Sequence, residues 1–325
     1  MVRVETGARL HFGFQNLSLA HERLYGGVGV ALDEPRAVVE AEPAATLDAD
    51  PTVERAARRA CEALDVPGAR VRLVESLPRH VGLGSGTQHA LATLAAVADA
   101  HDRPARVRER APALDRGGRS GVGVATFEAG GFVVDAGHPA ERFTTAPPRP
   151  GEWAVPAVAV RHDVPADWRF LLVIPEAESG KHGADEDESM RAVIERADAT
   201  VADELAAVLT RRLLPAIAEG DVERFGAAVA ALGRLNGAWY ADEQGGVYRP
   251  PAGEVVAALR GSPAVSGVGQ SSWGPTIYGV TDEDRAGTAA DDARAALDEL
   301  GVGGDVRVVA ARNEGASASG PPADG

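Results

Sequence analysis

The sequence predicts an α+β protein of two domains, and three observations carry that prediction. The chain has 325 residues with a hydrophobic fraction of 45%, enough for two cores of ordinary size. Runs that alternate apolar and polar residues are interleaved with runs of helical period. Between them, residues 144–152 (Thr144 to Glu152) lose all periodicity and are dominated by proline and glycine, the composition of a linker. The expected division is therefore an N-terminal domain over 1–143, the linker 144–152, a C-terminal domain over 153–312, and a tail over 313–325 that is disordered by composition.

Taken in order, Val2 to Phe14 alternates like a strand or bulged hairpin and places Arg9 and His11 on one face, with Gly13 allowing close packing. A satisfied histidine and a surface arginine are the plain alternative. Arg23 to Asp33 is a glycine-rich second strand that would hold Arg23 and Tyr25 at a cleft, and Arg36 to Glu40 reads as a third. Pro51 to Leu64 is the first helix, opened by Asp50 and an early proline. Cys61, the sole cysteine, shares its apolar face with Val53, Ala57 and Leu64, so it reads as a core residue and no internal disulfide exists. Arg106 to Arg119 is charged and weakly periodic, a solvated face. Strands are expected at Val155 to Val160 and Trp168 to Ile174. A polar loop follows from Pro175 to Glu188, then helices over about 188–209 and 213–232. Gln244 to Tyr248 is a glycine turn placed near the cleft. The remaining elements are a helix over Ala252 to Leu259, a strand over Thr276 to Val280, a helix over Asp284 to Leu300 and a strand over Asp305 to Ala310.

The chemistry concentrates at Gly82, Leu83, Gly84, Ser85, Gly86, Thr87 and Gln88, between a strand ending near Val74 and a helix carrying Leu91, Leu94 and Ala98. Glycines there let a ligand approach the backbone, and the N–H groups of the following helical turn favour an anion such as phosphate. A plain strand-to-helix turn would look similar. The hydroxyl and amide groups of Ser85, Thr87 and Gln88 weigh toward phosphate. Lys181, the only lysine, lies far downstream, so no P-loop is present; it is an ambiguous phosphate candidate in a polar loop.

Charge excludes one class of partner. With 48 acidic against 33 basic residues and a net charge of −15, the balance argues against a nucleic-acid partner, whose phosphate backbone demands a basic face. Arginine has almost wholly replaced lysine among dispersed acids, which suits concentrated salt and a halophilic archaeal host. No apolar run of membrane-spanning length and no signal peptide is visible, so a cytoplasmic protein with no membrane partner is expected. A homodimer is the one protein partner considered.

Pro78 followed by Gly82, Leu83, Gly84, Ser85 and Gly86 resembles the phosphate loop of the GHMP kinase superfamily, typically P-x-x-x-G-L-G-S-S-A. Ser120, Gly121, Val122 and Gly123, followed by Gly130 and Gly131, resemble the superfamily's second motif, whose aspartate serves as base; here that position is Gly123. A glycine accepts no proton, so the kinase mechanism loses its base. The second loop serine, often a magnesium ligand, is Gly86. These departures, with Ala8 to Ser18, Tyr25 to Val30, Gly130 to Asp135 and Ser266 to Thr276, resemble the archaeal beta-ribofuranosylaminobenzene 5'-phosphate synthase branch.

That resemblance implies a GHMP-kinase-like α+β fold, with a ribosomal-protein-S5-domain-2-like N-terminal domain and a ferredoxin-like C-terminal one. It also implies a pentosyltransferase condensing phosphoribosyl pyrophosphate with 4-aminobenzoate or a related 4-substituted benzoate, releasing CO2 and pyrophosphate, in methanopterin-type pterin biosynthesis. Mg2+ is the expected cofactor, with no organic one. Within the motifs, His11, Asp135 and His138 are the catalytic candidates. Gly82 to Gln88 bind phosphate, and Arg9, Asn16, Arg23, Tyr25, Ser120, Gln270, Ser271, Ser272 and Trp273 bind substrate; for each catalytic candidate an ordinary structural role is the alternative. Two other functions stay open, an ATP-dependent small-molecule kinase and a non-catalytic phosphate-ligand-binding relative.

Overall fold

The computed structural model describes residues 1–143, 152–177 and 184–320. Lys181 and most of the expected linker lie outside them. The N-terminal part opens with two long strands, β1 (Val2–Asn16) and β2 (Arg23–Pro43), then β3 (Asp48–Ala49), α1 (Glu54–Leu64), β4 (Ala69–Glu75), α2 (Ser85–Ala100), the short α3 (Val107–Arg110), α4 (Val122–Ala129), β5 (Phe132–Asp135) and β6 (His138–Pro139). Then come β7 (Val158–His162), β8 (Trp168–Pro175), α5 (Ala184–Arg196), α6 (Ala199–Val208), α7 (Leu214–Glu219), α8 (Val222–Gln244) and α9 (Ala252–Leu259). The chain closes with β9 (Gly267–Gln270), β10 (Ile277–Asp282), α10 (Ala286–Leu300), β11 (Gly304–Ala310) and β12 (Ser317–Ser319).

Two sheets result. The larger has eight strands ordered β12-β1-β2-β4-β3, with β5 and β6 also paired to β2 and β7 to β5; the smaller is antiparallel, β11-β8-β10-β9. The third strand expected at Arg36 to Glu40 is instead the far half of β2, a single strand that pairs β1 with register shifts at Gly7/Arg9 and His11/Gly13, and pairs β5 through Val28 to Val30 and β4 through Val38 to Pro43. Strand β7, from beyond the linker, extends the larger sheet.

The tail expected to be disordered from Asn313 is structured as far as Gly320. Asn313 exchanges hydrogen bonds with the backbone of Val164 (2.8 Å each way), Gly131 donates to the Arg312 carbonyl (2.7 Å), and β12 pairs Ser317, Ala318 and Ser319 with β1. Composition missed this because the segment is held by backbone pairing on an open sheet edge, which needs no apolar side chains. The helix expected over 188–209 is split in two, with α5 beginning inside the expected loop and Asp198 capping α6 through its bond to Thr200 N (2.9 Å).

One core packs β1, β2 and β8 against α6 and α8 through Phe12, Phe132, Phe170, Phe225 and Tyr278, uniting both halves of the chain. A second lies under the larger sheet, where α1 and α2 bury Ala57, Cys61, Leu91 and Leu94; Cys61 is the core residue its pattern predicts. Among the described residues no helix is long and apolar enough to cross a membrane.

Candidate functional site

The Gly82 to Gln88 loop is shaped by two left-handed glycines, Gly82 (φ +92°) and Gly84 (φ +81°). A Cβ on Gly82 would meet the Ser271 carbonyl oxygen at 2.4 Å and one on Gly84 the Arg9 Cγ at 2.9 Å, so both positions exclude other residues by conformation and by space. Leu83 between them is a core plug, and its carbonyl accepts from Arg9 N at 3.1 Å. Gly84 caps α2, its carbonyl accepting the N–H groups of Thr87 and Gln88 (3.0 Å each). Helix geometry leaves the Ser85 and Gly86 N–H groups without intrahelical acceptors at the mouth of the cavity. Gln88 faces away, accepting from Thr6 Oγ1 (2.8 Å) and donating to the Gly123 carbonyl (2.9 Å).

The third glycine-rich stretch braces this loop from behind. Ser271 Oγ donates to the Gly82 carbonyl (2.7 Å) and accepts from His11 N (3.1 Å), and Arg9 Nη1 donates to the same carbonyl at 2.8 Å. Ser272 and Trp273 reach the cavity wall, as does Gln270, which also accepts from Arg249 N at 2.8 Å. The cavity is about 1070 Å³ and runs from the loop past His11 to a cluster of aromatic side chains. Phe14 and Tyr25 (5.6 Å between ring centroids), Tyr25 and Trp153 (6.1 Å), and Tyr240 and Trp273 (4.8 Å) form that second end, with Met190 among them. Burial pushes the Tyr25 phenol up to about 12.

At the loop end the walls are cationic. Arg9, against Gly82 and Gly84, with Arg55 and Arg59 of α1, Arg79 and Arg116 line it, and Arg119 and Arg191 complete the set; against these seven arginines stand only Asp115, Glu186 and Asp187 among the described lining residues. Asp115 pairs with Arg55 (2.7 Å) and Arg59, while Arg119 pairs with Asp187 (2.9 Å) and Glu186 (3.4 Å). Among the described residues Arg116 Nε is buried without a hydrogen-bond partner, and its Nη1 is 3.5 Å from where a Cβ on Gly86 would sit. Burial lowers the Arg116 and Arg9 guanidinium values, the latter to about 10, and both stay charged near neutrality. The stretch expected to be a solvated face thus supplies Arg116 and Arg119 to the site. It was misjudged because weak periodicity conceals the bend at Gly117 (φ +78°) that turns these side chains inward.

Other expected site residues stand behind the wall. Asp135 is 0% exposed and away from the cavity: its Oδ2 accepts from Gly121 N (2.7 Å) and Ser120 Oγ (3.1 Å), its Oδ1 from Gly137 N (2.9 Å). Burial raises its carboxyl above the usual range, against the pull of those N–H groups. His138 bonds the Gly118 carbonyl through Nε2 (2.6 Å) and packs on Trp153, supporting the Gly117–Gly118 bend and touching no cavity space. Arg23 donates to the carbonyls of Ala136 (2.6 Å) and Gly137 (2.8 Å), and Asn16 to those of Arg23 (2.6 Å) and Ser18 (2.7 Å). Both are framework. The expectations of direct catalysis by Asp135 and His138 and of substrate contact by Arg23, Asn16 and Ser271 are corrected accordingly: a strand's alternation gives a face but does not say whether that face meets ligand or core.

His11 and Ser120 do line the cavity, joined by a 3.1 Å contact between Nε2 and Oγ. Burial, then the neighbouring Arg9, drives the His11 imidazole down to about 3, so it is neutral. At Gly123 the wall carries no carboxylate; the side chain of Thr87 fills the space.

Over residues 51–131 the chain matches the family described as GHMP kinases N terminal domain, and over 213–299 that described as GHMP kinases C terminal. It is 33% identical over 329 residues to the beta-ribofuranosylphenol 5'-phosphate synthase of Methanothermobacter thermautotrophicus, covering 96% of this chain and 97% of that one. The chain belongs to the beta-ribofuranosylphenol 5'-phosphate synthase family. By that membership it is an enzyme, a pentosyltransferase built on the GHMP kinase fold. The like-named Archaeoglobus fulgidus protein is 32% identical over 297 residues, 88% of this chain and 90% of that one. Among solved structures, homoserine kinase from Cytophaga hutchinsonii superposes with a TM-score of 0.67 at 17% identity (98% and 97% covered), and Methanococcus jannaschii mevalonate kinase with 0.67 at 13% (96% and 98%). At such identities the likeness speaks for the fold alone.

Proposed function

We propose that this enzyme joins phosphoribosyl pyrophosphate to a 4-substituted benzoate, releasing CO2 and pyrophosphate. The observation that carries the reading is a single cavity with a cationic, amide-lined end at Gly82 to Thr87 and an aromatic end at Tyr25, Tyr240 and Trp273. A polyanion fits the first end, where arginines and helix N–H groups meet; a flat ring fits the second. The relatives carry the name of a phenol product, which favours 4-hydroxybenzoate as acceptor, with 4-aminobenzoate as the alternative.

In this reading the bond from the anomeric carbon to the pyrophosphate oxygen breaks while the ring carbon bearing the carboxylate attacks; loss of CO2 returns the bonding electrons to the ring. No proton leaves the ring carbon, so no base is needed there, which agrees with the absence of a side chain at Gly123. The arginines at the loop end and the Ser85 and Gly86 N–H groups would hold the departing pyrophosphate, absorbing the charge that develops on its bridging oxygen.

Magnesium fits this site only with the help of substrate oxygens. Among the described residues no cluster of three metal-ligating side chains exists, and the cavity's carboxylates are engaged by arginines. Mg2+ characteristically keeps waters and binds through substrate phosphates; here the hydroxyls of Ser85 and Thr87 would hold it beside the pyrophosphate, and when bound it would supply charge neutralisation to the leaving group.

The kinase alternative meets the lack of a base at Gly123. Incubation with Mg2+, phosphoribosyl pyrophosphate and each benzoate in turn, with chromatography of the products, tests the proposal. A riboside phosphate from either acid supports it; product only from ATP and a hydroxylated metabolite overturns it.

A further inference from the structure

His11, Ser120 and Asp135 form a chain of hydrogen bonds whose direction can be worked out. As a carboxylate, held so by backbone N–H groups on both oxygens, Gly121 on Oδ2 and Gly137 on Oδ1, against the burial that raises its pKa, Asp135 can only accept from Ser120. The Ser120 O–H therefore points at Asp135, and its oxygen accepts from Val122 N (3.2 Å). With its one proton committed, Ser120 Oγ can meet His11 Nε2 at 3.1 Å only as an acceptor, which puts the imidazole proton on Nε2. The lone pair is then on Nδ1. Among the described residues no hydrogen bond to Nδ1 is made, although His11 is only 6% exposed and lines the cavity.

The surroundings restrict what Nδ1 can receive. His11 sits between Phe14, whose ring is 4.9 Å away edge-on, and Arg9, whose side chain packs over Gly84 of the phosphate loop. It is thus at the join of the aromatic and cationic ends. Pyrophosphate and carboxylate bring only acceptors, which a lone pair repels; a hydroxyl brings a donor. We propose that Asp135 and Ser120 hold His11 as the Nε2–H tautomer, and that its Nδ1 receives a ribose hydroxyl of the sugar-phosphate donor and orients the anomeric carbon toward the ring. Ser120 and Asp135 are positioning residues in this arrangement. The identity of the hydroxyl donor rests on the phosphoribosyl reading, whereas the tautomer does not.

Nuclear magnetic resonance of the full chain carrying isotope-labelled histidine tests the tautomer at neutral pH, the His11 signal being the one lost in His11→Gln. The expected result is an unprotonated Nδ1 and a protonated Nε2, with the preference weakened in Ser120→Ala; protonation at Nδ1 overturns the proposal. Kinetics test the partner. With the wild type, either the 2'-deoxy or the 3'-deoxy donor should lose roughly 10-fold or more in kcat/KM, the scale of one hydrogen bond. His11→Gln should lose a similar factor with the natural donor and nothing further with that deoxy donor, while His11→Asn, with an amide oxygen near the Nδ1 position, recovers part. Losses that multiply overturn the contact. Should His11→Gln not fold, Ser120→Ala serves in both arms, its expected sign a reduced penalty for the deoxy donor. If sensitivity follows the acceptor's 4-substituent instead, the ribose assignment is overturned. Absence of any turnover would count against the phosphoribosyl reading, and the measured tautomer would still decide the His11 assignment.

Discussion

The methyl carbon of Thr87 lies 3.0 Å from where a Cβ on Gly123 would begin. The space a side chain at Gly123 would enter is therefore taken by a residue of the phosphate loop itself. Restoring the carboxylate alone should not restore a kinase. Gly123→Asp is expected to push Thr87 aside, lower synthase kcat/KM by about 10-fold or more, the scale of ~1.4 kcal/mol, and yield no ADP from ATP with hydroxylated metabolites. Appearance of ATP-dependent phosphorylation in this variant would show that the missing base alone separates the two chemistries.

Arg116 offers, beside Gly86, a buried Nε with no partner among the described residues. Charged hydrogen bonds contribute ~1.5–3 kcal/mol, so Arg116→Ala should weaken phosphoribosyl pyrophosphate binding by roughly 10- to 100-fold, seen by calorimetry, with acceptor binding little changed. Arg116→Lys should not restore it, since an ammonium lacks the planar fork. Equal weakening of both substrates would contradict a role at the phosphate end.

The loop glycines differ from one another in a testable way. Gly84→Ala forces a Cβ into a left-handed position against Arg9 and should lower stability by about 1–2 kcal/mol. Gly86→Ser meets nothing closer than 3.5 Å and has no left-handed backbone, so a denaturant midpoint within about 0.5 kcal/mol of wild type is expected.

How much of this was legible in the sequence follows from what each residue does. Gly82, Gly84 and Gly123 reveal themselves because glycine is required or conspicuous at those positions. Arg55 and Arg59 do not: on a helix that also carries Arg58 and Glu54, nothing in the sequence says which arginines face a loop thirty residues away. Tyr240 and Asn236 were missed similarly, since α8 is long and its contacts with β1, such as Asn236 Oδ1 accepting from Phe14 N (2.7 Å), depend on tertiary packing. His138 was noticed as a motif residue, but only the fold shows that it props the bend behind the site.

Acid should weaken the fold through its buried histidines. Burial, then Arg9, takes His11 to about 3; burial, then Arg79 and Arg116, takes His89 to about 4, and His89 Nε2 accepts from Leu77 N at 3.1 Å in its neutral form. Both values lie below the unfolded ~6.5, so the unfolded chain binds more protons in between. The stability these groups contribute is complete above pH ~6.5 and is lost as pH falls toward ~4 and ~3, each with a slope approaching ~1.4 kcal/mol per pH unit. Urea titrations from neutrality to mild acid should show this decline, and His89→Gln should reduce proton uptake on unfolding by about one.

A net charge of −15 on an arginine-rich, lysine-poor chain predicts a salt requirement. Screening shortens to ~3 Å at 1 M salt, so the thermal midpoint should rise from dilute buffer to molar KCl. A fall would contradict the halophilic reading.

The central claim is that the pyrophosphate end and the aromatic end of one cavity act in a single transfer with loss of the ring carboxylate. It is tested most directly by supplying the enzyme, in high salt with Mg2+, with phosphoribosyl pyrophosphate and carboxyl-labelled 4-hydroxybenzoate or 4-aminobenzoate, ATP being run in parallel. The account predicts labelled CO2 and pyrophosphate in equal amounts, with no requirement for ATP; pyrophosphate released without CO2, or turnover only when ATP is present, would contradict it.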